Sequence, residues 1–319
     1  MVVIIDDFVV QGIQMLLVFL LAPLLTGFIR KVKARLLRRQ GASVLQPYRD
    51  LLRLLRKEVV LADNASWLFR ATPYLTFAAI WVAAALVPTF ATGLLFNWTA
   101  DLIVIVALLG TARFFLALAG MDVGTAFGGL GSSREVMIAA LAEPAMLLIV
   151  FCVALVAGST QLSTVANFIA SSQVGLRVSL GMAMIALVIV ALAENARIPV
   201  DNPSTHLELT MVHEAMILEY SGRHLALIEF GAFLKLLLYI SLIGCLFFPW
   251  EIAIFGAGPL SYVIGAAMYL LKVTIAGFLL AVFETATAKM RVFRVPQFLG
   301  AALMLGLLGT LLLFVSKSL

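Results

Sequence analysis

The chain has 319 residues, 63% hydrophobic and 12% charged, with a mean hydropathy of +1.10 and a formal net charge of +5. A soluble domain of this length carries about 25% charged residues, so the composition excludes a soluble enzyme, and no nucleic-acid partner is expected. The apolar residues recur in separate runs of about 20, each long enough to cross a hydrocarbon layer of about 30 Å.

Eight spans are expected in chain order: Phe8–Ile29, Pro73–Thr92, Leu102–Ala119, Val136–Ala157, Leu176–Ala193, Ile228–Phe248, Tyr262–Phe283 and Phe298–Val315. The prediction is an all-α polytopic membrane protein, a single integral membrane domain over residues 1–319. Asp6 and Asp7, not basic residues, precede the first run, which argues against a cleaved signal peptide.

Residues 30–70 hold 11 of the 22 Lys and Arg residues. With this segment inside, eight spans put both termini outside. Arg134, Arg197, Arg223, Lys289, Arg291 and Arg294 then also fall inside, giving 17 basic residues there against Arg177 and Lys317 outside. Positive charge accumulates on the cytoplasmic side of membrane proteins. The expected cytoplasmic segments are 30–72, 120–135, 194–227 and 284–297, and partners and chemistry are expected on that face.

The first inner segment is helix-like after Pro47. Arg49, Arg53 and Arg56 form one stripe, with Leu51, Leu52 and Leu55 away from it. Such a basic amphipathic helix suits either anionic lipid headgroups or a docked soluble partner. In the second segment, glycine-rich GMDVGTAFGGLGSS predicts a tight loop around Asp122, which is expected to cap or hydrogen-bond a turn. Ser132 and Glu135 match a capping box that would start the fourth span. Inside that span lies Glu143, followed by Pro144, which predicts a kink. An unpaired carboxylate at membrane depth costs about 2.5–3.5 kcal/mol, so Glu143 is read as a protonatable relay site in preference to a merely paired structural acid.

Charge is densest from Glu194 onward. Glu194-Asn-Ala-Arg-Ile-Pro-Val-Asp201 follows an uncharged apolar run, and the next residues carry His206, His213 and His224 with Glu208, Glu214 and Glu219. Pro199 and Pro203 interrupt any helix. Thr205 and Glu208 match a second capping box, predicting a new helix near His206 with His206, Thr210, His213 and Glu214 on one polar face. The pattern is not HExxH and no third ligand stands at suitable spacing, so no metal is expected. Proton transfer or interface hydrogen bonding is the preferred role, since histidine titrates near neutral pH.

Five further ionisable residues fall in or at the ends of spans: Arg113, Glu229, Lys235, Lys272 and Glu284. With Glu143 they suggest an internal polar file. Cys152 and Cys245 are too few and too far apart for a cluster motif, and all three histidines lie outside the expected spans, so no haem pair is expected. The chain has no evident means of moving electrons itself.

The stretches GSSREVMIAALAEPAMLL, AENARIPVDNPSTHLEL and LEYSGRHLALIEF resemble the H subunit of respiratory complex I, the membrane subunit that anchors the peripheral arm. RRQGASVLQPYRDLLRLLRKE resembles that family's first inner loop. Within this superfamily, IPVDNPSTHLELTMVHEAMILEYSG is similar to the equivalent subunits of group 4 energy-converting [NiFe] hydrogenases, the formate hydrogenlyase subunit 4 and hydrogenase-4 component C family. Quinone-reducing relatives carry three closely spaced acids after the aspartate; here the positions after Asp201 read Ser204, His206 and Glu208. That departure speaks against quinone reduction.

The resemblance implies a membrane anchor and coupling subunit of a hydrogenase complex. It implies no cofactor in this chain: hydrogenase large and small subunits would carry [4Fe-4S] clusters and a [NiFe] centre and dock on the inner face, with antiporter-like membrane subunits beside it in the bilayer. By motif match, Glu143, Glu194, Asp201, Glu208 and Glu219 would relay protons or transmit a charge change, and Arg197 would organise its loop by pairing with a carboxylate. The alternative is the H subunit of a quinone-reducing complex I, which needs a quinone cavity where the first spans meet the third inner segment. A free-standing transporter is disfavoured, because no repeated halves with paired broken helices are visible.

Overall fold

A computed structural model describes residues 2–93, 95–171, 178–200, 211–253, 258–288, 290 and 294–318, with the side chains of 2–7 and 316–318 left aside. Among these residues the chain forms eleven helices and no strand: α1 (Val2–Leu36), α2 (Gln46–Leu55), α3 (Trp67–Leu86), α4 (Leu102–Asp122), α5 (Ala126–Ala157), α6 (Leu162–Ala170), α7 (Val178–Glu194), α8 (His213–Ile217), α9 (Gly222–Phe247), α10 (Pro259–Ala286) and α11 (Val295–Ser318). Seven of them are long and apolar enough to cross a membrane. The apolar α7 has 17 residues, about 26 Å at 1.5 Å per residue, and stands where the fifth span, Leu176–Ala193, is expected. The chain is an integral membrane protein.

Two expected boundaries move. The second span begins before Pro73: the Ser66 side chain accepts a hydrogen bond from the Leu68 N–H and caps α3 at Trp67. The expected capping box at Ser132 and Glu135 is not a cap, because Thr125 performs that function by accepting from the Gly128 N–H, and α5 starts at Ala126. The glycine-rich stretch is therefore mostly helix, not loop. Close packing is the reason: a Cβ on Gly128 would stand 2.0 Å from the carbonyl oxygen of Gly120 on α4. Glycine's low helix propensity is overridden by the contact that its missing side chain permits. Helix α5 continues through Pro144.

Helices α3 and α4 pack together, α3 also packs on α9, α11 lies against α5 and α7, and α1 against α9 and α10. The buried core runs through all the long helices. A smaller cluster of Phe69, Leu116, Met216, Tyr220 and Ile228 closes the end of the bundle beside α8. There the Tyr220 hydroxyl donates to the Phe69 carbonyl at 3.1 Å, and the two rings stack with centroids 3.9 Å apart. Burial, with the Asp122 charge adding to it, pushes the Tyr220 phenol above its ordinary range. At the opposite end the connections are tied by backbone bonds, Thr92 N–H to Ala253 O at 2.9 Å and Leu102 N–H to Thr160 O at 3.0 Å. The short α6, between α5 and α7, was not expected from the sequence.

Candidate functional site

Arg113 is the centre of the site. It projects from α4 and its side chain is 7% exposed. Its Nη2 bonds Glu194 Oε1, its Nη1 lies 3.4 Å from Glu143 Oε1 and its Nε 3.6 Å from Glu135 Oε1. Glu194 Oε2 in turn lies 2.9 Å from Lys235 Nζ on α9. Two cations thus meet three carboxylates brought from α5 and α7. A guanidinium suits this position because its fixed fork of N–H donors serves several oxygens at once.

Local structure puts Glu194 there. It is the last residue of α7, and the helix ends in a left-handed residue, Ala196 at φ 46°. The Arg197 N–H bonds Leu192 O at 2.9 Å and the Ala196 N–H bonds Ala193 O at 3.1 Å, the two bonds of a Schellman stop. The tight reversal leaves Glu194 facing Arg113 and turns Arg197 the other way. Arg197 Nη1 lies 3.4 Å from Glu284 Oε1, and the second oxygen of Glu284 lies 2.5 Å from Lys33 Nζ at the end of α1. Arg197 does pair with a carboxylate, and the partner comes from α10. Burial lowers the Arg197 pKa, Glu284 opposes that, and the Arg30 guanidinium adds to the lowering.

A cavity of about 530 Å³ lies between these two ionic groups. Its wall comes from α1, α3, α4, α5, the end of α7 and its turn, α8 and α9, and includes Arg113, Glu135, Glu194, Arg197, His213, Glu214, Glu229 and Lys235. Ile29, Ile80, Leu109, Leu116 and Phe233 supply an apolar part of the same wall. A wall with this many ionisable side chains suits water and mobile protons.

The structure gathers Arg113, Glu143, Glu194 and Lys235 into one network and places His213, Glu214 and Glu229 on the adjoining wall. Glu143 is half exposed, its side chain 45% accessible on the flank of the chain, not buried as expected, and it is paired with Arg113. Glu284 belongs to the second group. Lys272 joins neither: its Nζ donates to Trp250 O at 2.5 Å near the opposite end of the molecule, so the polar file does not extend through it. Glu219 is exposed and off the cavity wall. Asp122 Oδ2 accepts from the Ser66 N–H at 2.9 Å, holding the start of α3. Asp201, His206 and Glu208, with the expected helix start near His206, lie outside the described residues; the described helix α8 begins at His213. Arg49, Arg53 and Arg56 are exposed along α2, which seats Leu51 in the bundle while Leu52 and Leu55 stay exposed. Among the described residues no three His, Cys, Asp or Glu side chains converge as metal ligands.

Sequence reasoning missed Glu135 and Lys33 as site residues. Glu135 and Glu143 are eight residues apart on one helix, about 80° apart around it at 3.6 residues per turn, so one arginine reaches both; that spacing was the available signal.

The profile of the family described as NADH dehydrogenase matches residues 10–315. Formate hydrogenlyase subunit 4 of Escherichia coli K12 is 33% identical over 89% of this chain and 92% of the relative. Hydrogenase-4 component C of the same organism is 34% identical over 74% of each chain. H subunits of bacterial NADH-quinone oxidoreductases match at 27–29% identity. A chain from the structure of a membrane-bound sulfane sulfur reductase, an archaeal respiratory membrane complex, superposes with a TM-score of 0.81 at 20% identity, covering 97% of this chain and 99% of that one. That likeness is one of fold.

Proposed function

Because the chain belongs to the NADH dehydrogenase family, we propose that it is the membrane anchor and coupling subunit of a formate hydrogenlyase or hydrogenase-4 type [NiFe] hydrogenase complex. Its place is the cytoplasmic membrane of a prokaryote, with both termini outside and the inner segments carrying the hydrogenase large and small subunits. Those partners supply the iron–sulfur clusters and the nickel site; antiporter-like subunits stand beside it in the bilayer. The carrying observation is the Arg113 network, a five-residue ionic group joining α4, α5, α7 and α9 at one wall of a 530 Å³ cavity.

The mechanism that this geometry supports is charge relay. Three carboxylates meet the one guanidinium, so a proton added to one of them leaves Arg113 paired with the others. Glu143 is the carboxylate to take it: it meets Arg113 at 3.4 Å with its side chain half exposed, whereas Glu194 is buried between Arg113 and Lys235 and Glu135 is 12% exposed. A change at the docked redox arm would reach the network through the α7 turn and α8, His213 and Glu214 included, and shift that proton toward or away from Glu143. The test is Glu143→Gln, with ion translocation measured in vesicles and assembly followed by co-purification. The expected result is an assembled complex that evolves hydrogen without translocating ions; unchanged translocation would overturn the relay.

One observation favours a second reading, the H subunit of a quinone-reducing complex. The cavity lies where α1 and α3 meet the third inner segment, which is where that reading needs a quinone site. Its ionic wall and the single acid kept after Asp201 at the matching positions weigh against it.

A further inference from the structure

The charges around the cavity are unevenly divided. At the Arg113 end three carboxylates surround the guanidinium. At the other end, where α1 leaves its apolar run, Arg30, Lys33 and Arg197 line the wall together. Glu284 stands beside them with one oxygen committed to Lys33 and the other to Arg197. The Arg30 guanidinium lies 5.9 Å from the Phe233 ring centroid, a contact that neutralises no charge. Glu229 is near enough to feel Arg30, yet it also feels the acids Asp50 and Glu214. Among the described residues these three cations share at most two carboxylates; Arg30 is exposed, while Lys33 and Arg197 are largely withdrawn from solvent, and like charges held together where water is partly excluded repel more strongly than in water.

We propose that this basic end of the cavity binds a phosphate-bearing anion, held by Arg30, Lys33 and Arg197. Guanidinium groups match phosphate oxygens with paired N–H donors, and an ammonium adds a point charge. The site lies at the end of a span, the depth at which lipid phosphates sit beside juxtamembrane basic residues. The cavity is far larger than a phosphate group, leaving room for a glycerol headgroup. The proposal does not depend on which redox arm docks above.

The experiment is thermal unfolding of the intact, detergent-washed complex titrated separately with inorganic phosphate and with phosphatidylglycerol, phosphatidylcholine being the uncharged-lipid control. A saturable rise in Tm is expected with at least one of the two anions, and the one that acts identifies the source as free phosphate or lipid. Arg30→Gln should raise the half-saturating concentration about 10-fold, the worth of one lost charge-assisted hydrogen bond. Arg30→Lys should retain most of the response, and Arg53→Gln, on exposed α2, all of it. No saturable rise with either anion, or equal loss in Arg30→Gln and Arg53→Gln, would overturn the proposal.

Discussion

The residues that matter most here are those whose charges are paired inside the bundle. Glu194 is buried between Arg113 and Lys235, and removing one partner of a buried ion pair costs about 3–5 kcal/mol because the other is left uncompensated. Glu194→Gln is therefore expected to lower the Tm of the assembled complex sharply. Combining it with Lys235→Met, which removes the orphaned ammonium, should recover part of the loss; a strictly additive double variant would show that the two are not coupled. Ala196 gives a prediction of opposite sign. An L-residue in the left-handed region costs about 1–2 kcal/mol, and glycine is the usual occupant of this position in the stop. Ala196→Gly should stabilise by about 1 kcal/mol, read as a higher Tm with translocation unchanged.

At the scale of elements, hydropathy made the spans legible, since each long helix must bury or wet its full length against lipid. Their ends were less so. Pro73 resembled a start because proline favours the first turn, yet Ser66 caps the helix about two turns earlier. The glycine-rich stretch after Asp122 resembled a loop for want of side chains, and that same want lets α5 cross α4. Gly128→Ala should force the two helices apart at a backbone contact and destabilise by about 1–3 kcal/mol. Gly129→Ala is the control: open space surrounds that position, so it should be neutral or slightly stabilising by helix propensity. Equal effects at the two positions would refute the close-approach argument. The site itself was half legible. Arg113, Glu143, Glu194 and Lys235 each stood out as charges in or beside apolar runs. That they meet, and that Lys272 does not join them, follows from helix packing, which spacing along the chain does not encode. Glu135 was hidden because an acid three residues after a serine has a sufficient local explanation as a cap.

For the molecule as a whole, the fold places two ionic groups around one cavity and links them through the turn from Glu194 to Arg197. That arrangement suits a subunit whose work is to pass on a charge change, not to make or break bonds. On the proposed function that charge change comes from a docked redox arm, and the nature of that arm is the central claim. The most direct measurement is to purify the intact complex through a tag on this chain and assay it for nickel and for hydrogen evolution from reduced methyl viologen. The account predicts nickel in the preparation together with hydrogen evolution. Soluble subunits present in full, with neither nickel nor hydrogen evolution, would contradict it.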